Sequence, residues 1–227
     1  MTGMLASVEN LAEALCVLEA GADIIDLKAP AAGALGALPV DRVAAIVAAL
    51  DGRRPASATV GDLPMRPQTV RPAVEAMAAT GVDYVKIGFF PGGDWDATVD
   101  ALAKVAARGV RLVAVLFGDQ SLKLSYVEAL SAAGFRGVML DTQNKRGGSL
   151  TQVCALEDLR DFVAEAKAHG LLCGLAGSLR EADIPLLLSL RPDYLGFRGA
   201  LCWQHARTGA LDASAVRTIR ACIPSRR

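Results

Sequence analysis

The stretch ADIIDLKAP, residues 22–30, guides the interpretation of the whole chain. Its apolar run, which includes two adjacent isoleucines, is typical of a strand that is buried on both faces of a parallel sheet. Side chains two residues apart in a strand point to the same side, so we expect Asp26 and Lys28 to leave the strand together, just before Pro30. An ordinary ion pair at a strand end would explain one such anion and cation, but the chain repeats the arrangement.

Short apolar runs alternate with alanine-rich amphipathic stretches along the chain. The apolar runs predict eight strands, at residues 4–8, 22–27, 56–60, 84–90, 111–117, 137–140, 171–176 and 194–197. The amphipathic stretches predict eight helices, at residues 11–20, 40–50, 70–80, 97–107, 122–133, 155–169, 180–189 and 213–223. Several of these helices end in a glycine directly before the next strand, as at Gly21 and Gly170, which is typical of a turn from helix to strand.

Eight such units in succession, without a linker or a break in composition, predict a single-domain (β/α)8 TIM barrel over residues 1–227. An open doubly wound sheet also alternates strands and helices, but it usually has about five or six strands. It also favours a glycine fingerprint after its first strand, and the sequence LASVEN, residues 5–10, lacks one.

Composition and charge exclude several classes of function. The 227 residues carry 24 basic and 24 acidic side chains, so nothing predicts binding to nucleic acid or to an anionic membrane. The opening residues lack a basic region, and no apolar run reaches the roughly 18 residues of a membrane span, so we expect a cytoplasmic protein. The five cysteines, an odd number without CxxC spacing, predict neither a disulfide scaffold nor a metal site.

A TIM barrel carries its chemistry at the carboxyl ends of its strands. In this chain those positions hold Ser7 and Glu9, Asp26 and Lys28, Thr59 and Asp62, Lys86, Asp119, Asp141 and Lys145, Gly177 and Ser178, and Arg198 and Gly199. Three lysines and at least two aspartates are therefore expected to converge on one rim. Lys86 interrupts the apolar run of its own strand, and a buried lysine is costly unless its charge is paired or lost.

That cost suggests a chemical use. Ammonium groups crowded into a barrel mouth of low dielectric lower one another's pKa, and a neutral lysine can attack a carbonyl group to form a Schiff base. The competing interpretation is that the lysines are permanent cations that bind an anionic substrate, since lysine is a common phosphate ligand. Gly177, Ser178, Arg198 and Gly199 follow the seventh and eighth predicted strands, where barrels often bind phosphate, although ordinary turns use the same residues.

Seven segments, spread over most of the chain, resemble one known family. They are LASV, GADIIDLKAPAAGALGA, TVGDLP, YVKIGFF, GVMLDTQNKRGGSL, GLAGSL and LGFRGALC, in that order between residues 4 and 202. In combination they resemble the (5-formylfuran-3-yl)methyl phosphate synthases, which make the furan precursor of methanofuran or methylofuran, cofactors of one-carbon metabolism. The resemblance implies a TIM barrel, no metal, no organic cofactor, and glyceraldehyde 3-phosphate as a substrate that is used twice.

The resemblance also implies roles for the charged residues, none of which departs from the family's pattern. Lys28 would form the Schiff base and Lys86 would accept a proton, while Asp26, Asp141 and Lys145 would orient groups and carry protons. The implied lyase reaction condenses two triose phosphates, closes a ring, and loses water and one phosphate.

The residues alone leave two alternatives open. Lysine-dependent aldolases and transaldolases are also barrels with a Schiff base, so the pattern does not separate condensation from cleavage. A non-catalytic barrel that binds a phosphorylated metabolite would also use rim lysines, but three lysines with paired aspartates exceed what phosphate binding requires. The alanine-rich outer helices are compatible with a homo-oligomer and equally with packing inside one chain.

Overall fold

Eight parallel strands close into one barrel in the computed structural model, which describes residues 1–120 and 123–224. The strands are β1 (Gly3–Val8), β2 (Ile24–Leu27), β3 (Ala56–Thr59), β4 (Tyr84–Gly88), β5 (Leu112–Phe117), β6 (Gly137–Asp141), β7 (Leu172–Leu175) and β8 (Tyr194–Phe197). Each strand pairs with its neighbours in the sequence, and β1 pairs with β8 to close the barrel. The predicted TIM barrel is thus confirmed, whereas the domain boundaries at residues 1 and 227 stay a prediction.

Helices follow the strands and pack on the outside of the barrel. Those of the described residues are α1 (Leu11–Glu19), α2 (Val40–Leu50), α3 (Pro67–Ala78), α4 (Trp95–Ala106), α5 (Ser125–Ala132), α6 (Leu150–Val153), α7 (Leu156–Ala168), α8 (Ile184–Ser189) and α9 (Ala213–Ala221). The helix predicted for residues 122–133 would start at Leu122, which lies outside the described residues. The short α6 is absent from the prediction, because four residues do not show a helical period. None of these helices has the length and apolar character that crossing a membrane requires.

Capping residues explain where several helices begin. Asn10 accepts a hydrogen bond from a backbone N–H three residues further on, which starts α1. Asp94 does the same for α4, so this helix begins at Trp95 rather than at the predicted residue 97. Helix α3 begins at Pro67, earlier than predicted, because proline fits the first turn of a helix, where its missing N–H is not needed.

Apolar side chains fill two regions, one between the strands and the helices and one inside the barrel. The interior region contains Leu5, Leu35, Val113, Val115, Phe117, Met139, Ala176 and Tyr194. Alternation along the strands produces this division, because successive side chains point outward to the helices or inward to the barrel axis. Five buried polar side chains, Ser7, Asp26, Ser57, Thr59 and Lys86, interrupt this apolar pattern on β1 to β4. The barrel therefore encloses a polar cluster that needs internal partners.

Candidate active site

A fully buried carboxylate, Asp26 on β2, organises the polar cluster inside the barrel. The strand register places Ser7 of β1 and Ser57 of β3 directly opposite it, and their hydroxyl groups donate hydrogen bonds of 2.8 and 2.7 Å to its two oxygens. The Lys86 ammonium on β4 donates a third hydrogen bond, 3.0 Å long, in a buried ion pair. Burial alone would raise the pKa of Asp26, but the ammonium groups of Lys86 and Lys28 and the bond from Ser57 outweigh it, so the pKa lies below its ordinary value.

The ion pair of Asp26 differs from the one that its sequence neighbourhood suggests. Its salt-bridge partner is Lys86, sixty residues away along the chain, rather than the neighbouring Lys28. The contact reaches from β2 to β4, past Ser57 on the strand between them. The pairing compensates the cost of burying an ammonium group in the middle of β4.

Lys28 lies just beyond the end of β2 and is the site lysine without an ion pair. Only 6% of the residue is exposed, and no carboxylate in the described part of the chain lies within ion-pair distance of its ammonium. Burial lowers the pKa of Lys28 from 10.5 to about 8. The carboxylates of Asp141 and Asp26 act against this decrease, and the ammonium groups of Lys145 and Lys86 add to it. An appreciable fraction of Lys28 is therefore a neutral amine near neutral pH.

A second ion pair joins Asp141, the last residue of β6, to Lys145 in the loop that follows. The Lys145 ammonium donates to Asp141 Oδ1, and the backbone N–H of Thr142 donates to the same oxygen at 2.7 Å. Burial alone would raise the pKa of Asp141, but the ammonium groups of Lys145 and Lys28 hold it below its ordinary value. Asp141 is thus an anion that faces both lysines.

One pocket at the carboxyl end of the barrel joins these groups. Its lining includes the predicted site residues Lys28, Lys86, Asp141, Lys145, Gly177, Ser178, Arg198 and Gly199. Asp26 is the exception, because it lies below the lining and reaches the pocket through its contact with Lys86. The structure thus brings the predicted residues together, while their individual roles stay predictions.

The turn after β7 has a backbone that only a few residue types adopt. Gly177 has a φ of 110°, and a Cβ there would lie 2.8 Å from Cγ2 of Thr142, so no other residue fits without rearrangement. The next residue, Ser178, also has a positive φ, of 50°. Backbone strain of this kind costs roughly 1–3 kcal/mol and is concentrated at functional sites.

The Arg198 side chain is held by the protein itself. Its five N–H donors all have acceptors: both oxygens of Glu13, and the backbone carbonyls of Ser7, Arg207 and Gly209 at 2.9–3.2 Å. Glu13 lies on α1, so this buried ion pair connects the first helix to the loop after the last strand. No donor of the guanidinium is left for a direct bond to a phosphate, which argues against that part of the sequence prediction.

Three further polar side chains, which are not among the predicted site residues, line the pocket: Arg180, His205 and Arg207. They lie in loops, several residues beyond the strand ends, and no periodic pattern marks them. Conversely, two aspartates of the predicted rim brace loops instead of lining the pocket. Asp62 accepts hydrogen bonds from the N–H groups of residues 34 and 35, and Asp119 accepts them from those of residues 143 and 144.

Sequence comparison identifies the family of the chain. Residues 4–220 match the family described as 4-HFC-P synthase. The chain belongs to this family. The predicted family is thus confirmed, and the protein is an enzyme that acts on a small molecule.

Named members of the 4-HFC-P synthase family align with nearly the whole chain. A (5-formylfuran-3-yl)methyl phosphate synthase from Methanopyrus kandleri is 37% identical over 95% of this chain and 96% of its own length. The same enzyme from Methanocaldococcus jannaschii is 35% identical over 96% of this chain and 97% of its own length. A protein from Methylorubrum extorquens, which carries the same name in provisional form, is 48% identical over 96% of this chain and 92% of its own length.

Solved structures share the fold with this 4-HFC-P synthase family member at low sequence identity. Phosphoribosyl anthranilate isomerase from Thermus thermophilus has a TM-score of 0.69 and 17% identity, with 98% of each chain covered. A 3-hexulose-6-phosphate synthase has a TM-score of 0.67 and 22% identity, with 97% of this chain and 100% of the other covered. These similarities support the barrel fold alone.

Proposed function

We propose that this protein condenses two molecules of glyceraldehyde 3-phosphate into (5-formylfuran-3-yl)methyl phosphate through a Schiff base on Lys28. The names of its relatives support the product. The observation that carries the mechanism is the contrast among three lysines of one pocket. Lys86 and Lys145 each have a carboxylate partner, whereas Lys28 has none among the described residues and is buried with its pKa lowered to about 8.

The first steps use Lys28 and Lys86. The neutral amine of Lys28 attacks the carbonyl carbon of one triose phosphate, and loss of water leaves a protonated imine. The departing hydroxide takes the proton of the Lys86 ammonium group and leaves as water. The neutral Lys86 amine, which is 3.0 Å from Asp26, then removes a proton from the carbon next to the imine, which the positive charge acidifies, and an enamine forms. The anions Asp26 and Asp141 stabilise the positive imine by their charge, because both act on Lys28.

The enamine carbon then attacks the aldehyde of the second triose phosphate and forms the new carbon–carbon bond. Elimination of phosphate breaks a carbon–oxygen bond, which is why we assign the enzyme to the lyases. Ring closure and dehydration complete the furan, and hydrolysis frees Lys28. Atoms balance when two triose phosphates yield one furan phosphate, one inorganic phosphate and two molecules of water. In this scheme Lys145, paired with Asp141, is the second group that can carry protons.

We further propose that the turns after β7 and β8 bind a substrate phosphate through their backbone at Gly177, Ser178 and Gly199. For Arg198 we propose a positioning role, because Glu13 and three carbonyl groups occupy its donors. We also propose that the reaction takes place in the cytoplasm. Its product would be used in the synthesis of methanofuran or methylofuran.

Product analysis with glyceraldehyde 3-phosphate as the only substrate tests this function. We expect a furan that absorbs in the ultraviolet, and borohydride reduction during turnover should attach the triose carbon skeleton to Lys28. Lys28→Arg keeps the positive charge, but a guanidinium stays protonated and cannot form the imine, so this variant should give neither the furan nor the adduct. Lys104→Arg, on the protein surface, is the control and should change neither result. Formation of a shorter aldehyde without furan would indicate an aldolase, and absence of any lysine adduct would indicate a binding protein.

A further inference from the structure

The charged groups of the pocket divide into paired and unpaired members. Three cations have carboxylate partners: Lys86 with Asp26, Lys145 with Asp141, and Arg198 with Glu13. Two arginines that line the same pocket, Arg180 and Arg207, have no ion pair within the described ranges of the chain. Apart from Lys28, which also has no ion pair, these arginines give the pocket two positive charges that no nearby carboxylate offsets, and two charges match a phosphate monoester dianion.

Arg207 is held in place by groups that leave part of its guanidinium free. Its Nη1 donates to the carbonyl of Pro30 at 2.7 Å, and its Nη2 donates to the carbonyl of Gly33 at 2.8 Å. These bonds use two of five N–H donors. Burial lowers the pKa of Arg207 below its ordinary value, as expected for a half-buried cation without a close carboxylate. A fixed, partly desolvated guanidinium with free donors is an arrangement suited to bidentate binding of phosphate.

Gly199, which lines the same pocket, lies beside both arginines. A Cβ at this position would be 3.3 Å from Nη1 of Arg180 and 3.8 Å from Cβ of Arg207. Glycine therefore leaves room where both side chains border the pocket. The loop that carries Arg207 is strained, since Gln204 and His205 have φ angles of 50° and 59°. The bonds of Arg198 to the carbonyls of residues 207 and 209 hold this strained loop in place.

We infer that Arg207, together with Arg180, forms the side-chain part of a phosphate subsite beside Gly199, and that this subsite selects phosphorylated over unphosphorylated substrates. The inference rests on the proposed function for the identity of the substrate but not for the existence of the subsite. The bonds to Pro30 and Gly33 also connect this subsite to the loop that follows Lys28. Arg207 is thus a binding residue, and its contact with the phosphate orients the carbonyl group towards Lys28.

Phosphate binding tests the subsite without any reference to catalysis. Titration calorimetry with inorganic phosphate should show a dissociation constant roughly 10- to 100-fold higher for Arg207→Gln than for the wild type. Arg207→Lys, which keeps the charge but not the fork, should recover part of the affinity. Arg146→Gln is the matched control. It removes the same charge from a residue that follows Lys145 but does not line the pocket, so the affinity should change less than about twofold. Equal affinity of the wild type and Arg207→Gln would overturn the inference.

Substrate comparison separates phosphate binding from a merely structural role of the bonds to Pro30 and Gly33. Arg207→Gln should raise the half-saturating concentration of glyceraldehyde 3-phosphate for furan formation by a similar factor. Reductive trapping of glyceraldehyde, which has no phosphate, on Lys28 should stay within about twofold of the wild type. A parallel loss with both aldehydes would mean that Arg207 only supports the loop. If the wild type binds phosphate through Arg207 but makes no furan, the subsite stands and the proposed function fails.

Discussion

The lowered pKa of Lys28 leads to a quantitative prediction about its reactivity. A pKa of about 8 leaves about 9% of the amine neutral at pH 7, whereas a pKa of 10.5 leaves only about 0.03%. The burial of Lys28 thus increases its neutral fraction about 300-fold. We expect trace acetylation with acetic anhydride, followed by mass spectrometry of peptides, to give a titration midpoint near pH 8 for Lys28. A short unstructured peptide with one lysine, whose ordinary pKa is about 10.4, is the internal control in the same sample.

The surrounding charges predict the sign of two shifts in this midpoint. Asp141→Asn removes an anion that raises the pKa of Lys28 and releases Lys145, so the midpoint should fall by about one pH unit. Lys145→Met removes a cation that lowers the pKa of Lys28 and frees Asp141, so the midpoint should rise by about one pH unit. A wild-type midpoint at pH 10 or above, or shifts of the same sign in both variants, would refute this account of how Lys28 is activated.

Three further predictions concern stability and the division of roles. Lys28→Met should raise the free energy of unfolding in urea by up to about 3 kcal/mol at pH 7. Because folding lowers the pKa of Lys28, the wild type gains stability as the pH rises from about 8 to 10.5, so the advantage of this variant should disappear over that range. Glu13→Gln should destabilise the fold by about 3 kcal/mol, since it leaves Arg198 buried without a counter-charge, and the double variant with Arg198→Met should be more stable than Glu13→Gln alone. Lys86→Met should still give the borohydride adduct on Lys28 but no furan; an adduct on another lysine of the wild type would redistribute the roles.

Local signals in the sequence were enough to predict the barrel. Strand β8 and helix α2 match their predicted bounds at both ends, because each has a clear apolar pattern and a distinct boundary. For α2 these boundaries are Pro39 before it and Asp51 after it, which adopts the left-handed conformation that ends helices. The start of α8 was predicted four residues too early, because residues 181–183 form a separate single turn that the composition does not distinguish from the helix.

The side-chain contacts between strands that lie far apart along the chain could not be predicted from the sequence. The charged positions at the strand ends predicted which groups would gather at one rim, and the pocket lining agrees for the lysines and Asp141. The pairing of Asp26 with Lys86 depends on the register of β2 to β4, which no local pattern encodes. The ion pair between Arg198 and Glu13 depends in the same way on the pairing of β1 with β8, which closes the barrel.

The bonds from Arg198 to Ser7 and Glu13 have a consequence for the nascent polypeptide. They join the first strand and helix to the turn after the last strand, so the wall of the pocket is finished only when residues near 209 have left the ribosome. Before this closure we expect Lys28 to contact water, where an amine is almost fully protonated at neutral pH. Its reactivity toward aldehydes should therefore develop only once β8 has closed the barrel around it.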